Sequence, residues 1–319
     1  MQKIKVFLTV LFLVILSIPT KSYCADDRMY NGLLIDAMAQ IDETVDSSIA
    51  IQRVKRAGIS KIALFARSRR YLSENEQAVI SIKKNNPNLI ILGSPKYFLL
   101  RNDLEKEYIS HTLKNITKHN YQFIGEILYS HADKSHGEQT RTGERYVDPL
   151  AYGTNAFLNS LLKYAIPIMT HWEVYAWERD WPRFKKLYFK NRDQKFLIPH
   201  MAFAKPSQVE EILSCSPNVF MTISKKEKDK RAYSDRGKAQ KLGSGFIRKN
   251  GVLRNKWRFI LEKYQDRLLF ATDAHKRWRW QKYEKVVKRH RKILGQLKVS
   301  IAKKIAYKNA EKLYGVTAN

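Results

Sequence analysis

The sequence predicts an α/β fold, a TIM-like (β/α)8 barrel in which residues 25–319 form a single domain. Three observations carry that expectation. Short apolar runs of four to six residues recur along the chain, as expected for parallel strands covered on both faces. Helical periodicities separate these runs, so that strand and helix alternate eight times. Four of the runs also close on a polar residue: Glu126 in Phe123-Ile124-Gly125-Glu126-Ile127, His171 in Pro167-Ile168-Met169-Thr170-His171, His200 in Phe196-Leu197-Ile198-Pro199-His200, and Asp273 in Leu268-Leu269-Phe270-Ala271-Thr272-Asp273. Buried strands that stop this way aim those groups at a common rim.

In order, the expected strands are 33–36, 61–66, 89–94, 123–128, 167–171, 196–200, 218–224 and 268–273. The expected helices are 48–57, 74–85, 103–117, 152–165, 178–191, 206–214 and 254–264, followed by 280–297 and 300–314. Gly58 and the Asn86-Pro87-Asn88 turn mark helix ends. Pro206 suits a helix start, and Asp103 is placed to cap the helix that follows it. Two polar insertions, 131–149 and 225–252, leave the carboxyl ends of the fourth and seventh strands, the side on which barrels carry their sites.

The 319 residues, 44% hydrophobic and 12% aromatic, describe a folded globular chain. Residues 1–24 read as a signal peptide: Lys3 and Lys5, an apolar stretch from Val6 to Ile18, then Pro19 and cleavage before Ala25. Lipid attachment at Cys24 and an uncleaved anchor are the alternatives. The expected location is periplasmic or secreted. With Cys24 removed, Cys215 is the one remaining cysteine and no intramolecular disulfide can form. The formal net charge of +29 is concentrated in 225–258 and 276–312. Such stretches suit an anionic polymer or a membrane surface as partner, or they are simply solvated lysine-rich faces. No protein partner is indicated.

Two imidazoles and two carboxylates on one rim form the ligand set of a hydrolytic metal site. At these strand ends the chain resembles the amidohydrolase superfamily, particularly its TatD-like and amidohydrolase-2-like branches. Ile35-Asp36-Ala37-Met38-Ala39-Gln40 sits where that family has Asp-x-His-x-His. Ile124-Gly125-Glu126-Ile127 is similar to its Gly-Glu-Ile strand, and the His171 and His200 runs to its fifth- and sixth-strand motifs. Phe270-Ala271-Thr272-Asp273-Ala274 is similar to its eighth-strand aspartate motif, and Asn309-Ala310-Glu311-Lys312-Leu313-Tyr314-Gly315 to its terminal helix. The resemblance implies one or two divalent metals at the barrel mouth. One position would lean on the first-strand histidine pair and Asp273, the other on Glu126, His171 and His200. Met38 and Gln40 replace the pair, and a thioether and an amide are poor zinc ligands. The expectation is therefore one ion, zinc or similar, held by Glu126, His171 and His200.

Three functions follow. In the first, a metal-dependent hydrolase attacks an amide, ester or related bond of a small-molecule substrate with water whose pKa the ion lowers to about 7. Asp273 is then the catalytic base, and Met38, Gln40, Trp172 and His131 line the substrate pocket. In the second, a catalytically decayed barrel binds an anionic ligand through Arg67, Arg69, Arg70, Lys96, Tyr97, Trp172, Glu173 and His275. In the third, a TatD-like nuclease uses the basic surface and the Trp278-Arg279-Trp280 cluster; loss of one metal position argues against it. His131 and His136, flanking Asp133, are candidates for acid–base groups or an auxiliary metal site. His111, His119 and His290 are expected at the surface.

Overall fold

Each apolar run pairs in parallel with its neighbour, and the pairing returns to its start. The computed structural model describes residues 29–68, 72–97, 103–132, 145–224, 231–233, 239–241 and 245–318. The first strand (Ile35–Ile41) pairs with the second (Lys61–Ser68), and the second with the third (Ile90–Leu92). The fourth (Ile124–Leu128), fifth (Ile168–His171), sixth (Phe196–Ile198), seventh (Val219–Thr222) and eighth (Leu268–Leu269) continue in sequence order. Parallel bridges at Gly93–Phe123 and Ala39–Ala274 join these two groups on both sides. The seam between the eighth and first strands carries three backbone hydrogen bonds: Ala37 N to Phe270 O (3.0 Å), Asp273 N to Met38 O (3.0 Å) and Gln40 N to Ala274 O (2.7 Å). The architecture is a TIM-like barrel.

Around the strands lie α1 (Ser47–Arg56), α2 (Leu72–Asn85), α3 (Lys106–His119), α4 (Tyr152–Leu161), α5 (Trp177–Lys190), α6 (Pro206–Cys215) and α7 (Asn255–Lys263). The chain ends in α8 (Arg277–Trp280), α9 (Tyr283–Leu294), α10 (Val299–Lys303) and α11 (Asn309–Tyr314). Gly58 takes a φ of 66° after α1, and Pro206 opens α6. Asp103 does not cap α3. Its carboxylate instead accepts from Gly153 N (2.8 Å) and Thr154 N (3.2 Å), closing the first turn of α4 some fifty residues away. His290, expected at the surface, is buried between α9 and the seventh strand, with its Nε2 3.0 Å from Ile223 O.

The barrel interior is a small apolar core to which every strand or its entry contributes. It contains Ile35, Ala37 and Met38, Ala63 and Phe65, Ile91, Phe123, Met169, Leu197, Phe220, and Leu269 with Ala271. Ala310, Leu313 and Tyr314 of α11 join it, and the Tyr314 hydroxyl donates to Ala37 O at 2.8 Å. Asn309 Nδ2 donates to Gln265 O (2.6 Å) and Leu268 O (2.8 Å), which pins the entry of the eighth strand. Gly315 then takes a φ of 64° to end α11. The terminal motif is thus a plug for the barrel and a clamp on its last strand.

Two irregularities set up the site. In the first strand, Asp36 pairs with Ile62 and Ala39 with Leu64, so three steps run against two. The strand continues past Asp36, where it was expected to end, and this bulge turns both Ala37 and Met38 into the inner core. The fourth strand has the same slip between Ile124 and Ile127, on either side of Gly125 and Glu126. A Cβ at Gly125 would stand 2.1 Å from Ser94 O, so only glycine lets the third-strand exit pass this close. Gly125→Ala is expected to lower stability by about 1–3 kcal/mol or more through overpacking, read as a shift of the urea midpoint.

Asp36 holds the seam from inside. It accepts from Met38 N (3.2 Å), Thr272 N (2.9 Å), Thr272 Oγ1 (2.6 Å) and Tyr283 OH (2.8 Å). Burial pushes its carboxyl from 3.8 up to about 6 against those donors. An acid raised on folding binds more protons folded than unfolded, so stability falls as pH rises between these two values. Urea unfolding should show a decline of up to about 3 kcal/mol from pH 4 to pH 6.5 that Asp36→Asn lacks.

Candidate metal centre

The carboxyl ends of the fourth, fifth, sixth and eighth strands bring four buried groups together. Glu126, His171 and His200 each place one ligand atom so that all three atoms lie within 4.8 Å of one another. Glu126 is the junction. Its Oε1 faces His171 Nδ1 at 2.5 Å and His200 Nε2 at 3.8 Å, while its Oε2 is bound by Lys96 Nζ and accepts from Gln40 Nε2 at 3.2 Å. Burial favours the neutral acid, but the Lys96 ammonium and then His171 outweigh it and hold the carboxyl well below the usual range.

Both imidazoles are oriented from behind. His171 Nε2 faces Glu173 Oε1 at 3.3 Å, and Glu173, fully buried, also accepts from Ala132 N at 3.3 Å. Burial works against charge on His171, yet Glu126 and Glu173 prevail and raise its pKa. His200 Nδ1 meets Ser224 Oγ at 2.9 Å, and its backbone N donates to Thr222 Oγ1 at 2.9 Å. His171 Nδ1 and His200 Nε2 are the nitrogens left facing Glu126. This is the outer-partner arrangement that orients metal-binding histidines. The residues present therefore fit a divalent cation: two imidazoles and a carboxylate converge, and each imidazole has a partner for its far nitrogen.

The sixth strand ends earlier than its apolar run suggests. After Ile198, residues His200, Met201, Ala202 and Phe203 all take positive φ, between 50° and 55°. A left-handed residue costs about 1–2 kcal/mol, so this turn survives only because its surroundings hold it. The Thr222 hydroxyl grips its first amide, Phe203 stacks on the His200 ring at 5.1 Å, and Pro199 to Ala202 are buried. Asp273 also has positive φ, 53°, so both site residues at these ends lie on strained backbone.

Asp273 does not stand free as the expected base. Arg279 Nη1 binds its carboxylate and its carbonyl oxygen, and His275 Nδ1 lies 3.0 Å from Oδ1. Burial raises its pKa, but Arg279, followed by His200 and His275, holds it well below the usual carboxylate range. Burial brings the neighbouring His275 down to about 4, so this imidazole is neutral at pH 7. A carboxylate held this way is a weak proton acceptor.

The four residues read as substrate-binding separate. Gln40 reaches Glu126 directly, and its Oε1 is buried with no partner among the described residues. His131 lies at the site edge, stacked on His171 at 5.6 Å with Nε2 3.7 Å from Glu173 Oε1. Met38 is a correction: the first-strand bulge buries its side chain in the apolar core beneath the site. Trp172 is another. It follows His171 and so points to the opposite face, stacking on Phe184 at 4.6 Å and Trp181 at 6.2 Å, and donating to Tyr188 OH. Of the cluster at 278–280, Trp280 packs on Tyr283 at 5.1 Å and donates to Gln40 O, which makes it a structural aromatic. Ser224 was not singled out from the sequence, and Arg279 was read only as part of the 278–280 cluster, not as the partner of Asp273. Residues 1–28, Arg69, Arg70, Asp133, His136 and most of 225–244 lie outside the described residues, as does the Tyr97 side chain.

The TIM-like barrel fold is similar to that of several solved proteins. An amidohydrolase from Burkholderia multivorans matches with a TM-score of 0.54 at 10% identity, over 90% of this chain and 100% of its own. A 2,6-dihydroxybenzoate decarboxylase from Rhizobium matches with a TM-score of 0.55 at 10% identity, over 90% and 99%. A TIM-barrel protein from Bordetella bronchiseptica gives 0.55 at 10% identity, over 89% and 99%. No family model matches the chain. No curated protein matches it either.

The Asp273–Arg279 pair supplies a test. Arg279→Met leaves a buried carboxylate without its cation and should cost about 3 kcal/mol in urea unfolding. The double variant Asp273→Asn/Arg279→Met should recover most of that loss.

Proposed function

We propose that this protein is an exported, metal-dependent hydrolase with a single-ion site, acting on an amide, ester or related bond of a small molecule. The observation that carries the reading is the convergence of His171 Nδ1 and His200 Nε2 on Glu126 Oε1, with Glu173 and Ser224 behind the two rings. A divalent ion bound there, taken as zinc from its two imidazoles and one carboxylate, supplies a Lewis acid that polarises a carbonyl oxygen and acidifies water. Glu126, His171 and His200 hold the ion. Gln40 Oε1, an acceptor without a partner among the described residues, suits a substrate N–H or O–H. His131, at the edge, is placed to contact substrate and to relay a proton. Asp273 can accept a proton only once Arg279 is drawn away from it, a movement that an anionic substrate group would favour. The basic start and apolar run of residues 1–24 support export, and the basic stretches support association with an anionic polymer or membrane surface.

A second reading rests on Lys96 and Arg279. Each covers a carboxylate that a fully active site would leave open, as in a decayed barrel that binds an anionic ligand. Turnover separates the two: a zinc-loaded protein inert toward esters, lactones and amides favours the second.

Elemental analysis of the purified mature protein should find about one zinc per chain, in keeping with three protein ligands and one open position. His171→Ala and His200→Ala should each lose it while remaining folded by circular dichroism. A wild type that takes up no divalent metal ends the hydrolase reading.

A further inference from the structure

We infer that Lys96 serves the site as a tethered cation, occupying the side of Glu126 that a second metal ion would otherwise use and so limiting the barrel mouth to one exchangeable ion. The inference rests on the metal reading above and concerns the opposite side of the same carboxylate. Lys96 is placed by backbone pairing, since residues 96–97 form a short parallel strand against the end of the second barrel strand, with Lys96 opposite Arg67. From there Nζ reaches Glu126 Oε2, the oxygen turned away from both imidazoles. Gln40 Nε2 donates to the same oxygen at 3.2 Å. The two donors thus take up Oε2 and leave Oε1 to the histidines.

The burial makes the arrangement consequential. The Lys96 and Glu126 side chains are 7% and 2% exposed, so the pair lies inside the site and Lys96 is not a solvated surface lysine; burial lowers its pKa, and the Glu126 carboxylate beside it works to keep it charged. Asp273, the other carboxylate on this side, is matched by Arg279 in the same way. On this side of Glu126 each carboxylate that could anchor a further divalent cation therefore already faces a cation that the chain supplies; Glu173, with His131 and His171, lies behind the imidazoles on the other side. The Gln40 amide oxygen, fully buried on this side and without a partner among the described residues, is a weak metal ligand. An ammonium in this place repels an incoming dication and competes with it for Glu126. It also fixes the carboxylate's rotation, so that Oε1 stays aimed at the imidazoles.

The test compares wild type, Lys96→Met and Lys96→Arg in two measurements. The first is Zn²⁺ affinity and stoichiometry, by chelator competition and elemental analysis after equilibrium dialysis. Removing a like charge and a competitor should tighten binding in Lys96→Met by about tenfold or more. Lys96→Arg should stay near wild type, at one ion per chain. Wild type that binds zinc while Lys96→Met binds it equally or more weakly overturns the inference and leaves the metal reading standing. Absence of zinc binding in all three overturns both. The second measurement is a thermal-unfolding double-mutant cycle of Lys96→Met with Glu126→Gln in excess chelator, which reads the pair even if Lys96→Met is too unstable for dialysis. Strong non-additivity supports the pairing, and additive effects overturn the inference.

Discussion

A carboxylate buried in a barrel must be neutralised, and the manner in which Glu126 is neutralised organises this site. Its two oxygens face two different chemistries. On one side are soft, exchangeable partners, the imidazoles of His171 and His200; on the other is a covalently tethered ammonium, Lys96, with the Gln40 amide beside it. An isolated buried carboxylate would carry a desolvation penalty of several kcal/mol. The cations around Glu126 offset that penalty, and their geometry decides which oxygen remains available to a ligand. Gly125 is part of the same constraint, because only a residue without a Cβ lets Ser94 and the chain leading to Lys96 approach the fourth strand.

The surroundings show what this arrangement requires of the fold. His200 rides on a left-handed turn and Asp273 on a positive-φ residue, conformations that local propensity does not favour. They persist because Thr222, Ser224, Arg279 and the seam at Asp36 hold them from several strands at once. Below the site, α11 plugs the barrel, and Asn309 fixes the eighth strand from the far end of the chain. The site's precision thus derives from barrel closure more than from any one strand.

Much of the barrel was legible in the sequence because its strands are buried on both faces and therefore read as continuous apolar runs. The end residues Glu126, His171, His200 and Asp273 were legible for the same reason: a polar group closing such a run has few places to go except the rim. Trp172 and Met38 misled. Trp172 lies one residue beyond His171, and alternation turns it outward into the helical layer. Met38 sits in a bulge, which shifts the alternation by one and sinks it into the core. A bulge leaves no mark in composition or periodicity. The reach of Asp103 to α4 was equally hidden, since its partners lie about fifty residues further along the chain.

By itself the sequence determined the order of elements, the closing motif and the identity of the candidate ligating groups, because these depend on apolar periodicity and on residue chemistry at strand ends. Only the tertiary structure decided the charge pairing: that Lys96 covers one oxygen of Glu126, that Arg279 restrains Asp273, and that Glu173 and Ser224 aim the imidazoles. The physical reason is that ion pairs and second partners depend on distances between strands far apart in the chain. These distances are set by bulges, by one glycine and by closure of the barrel.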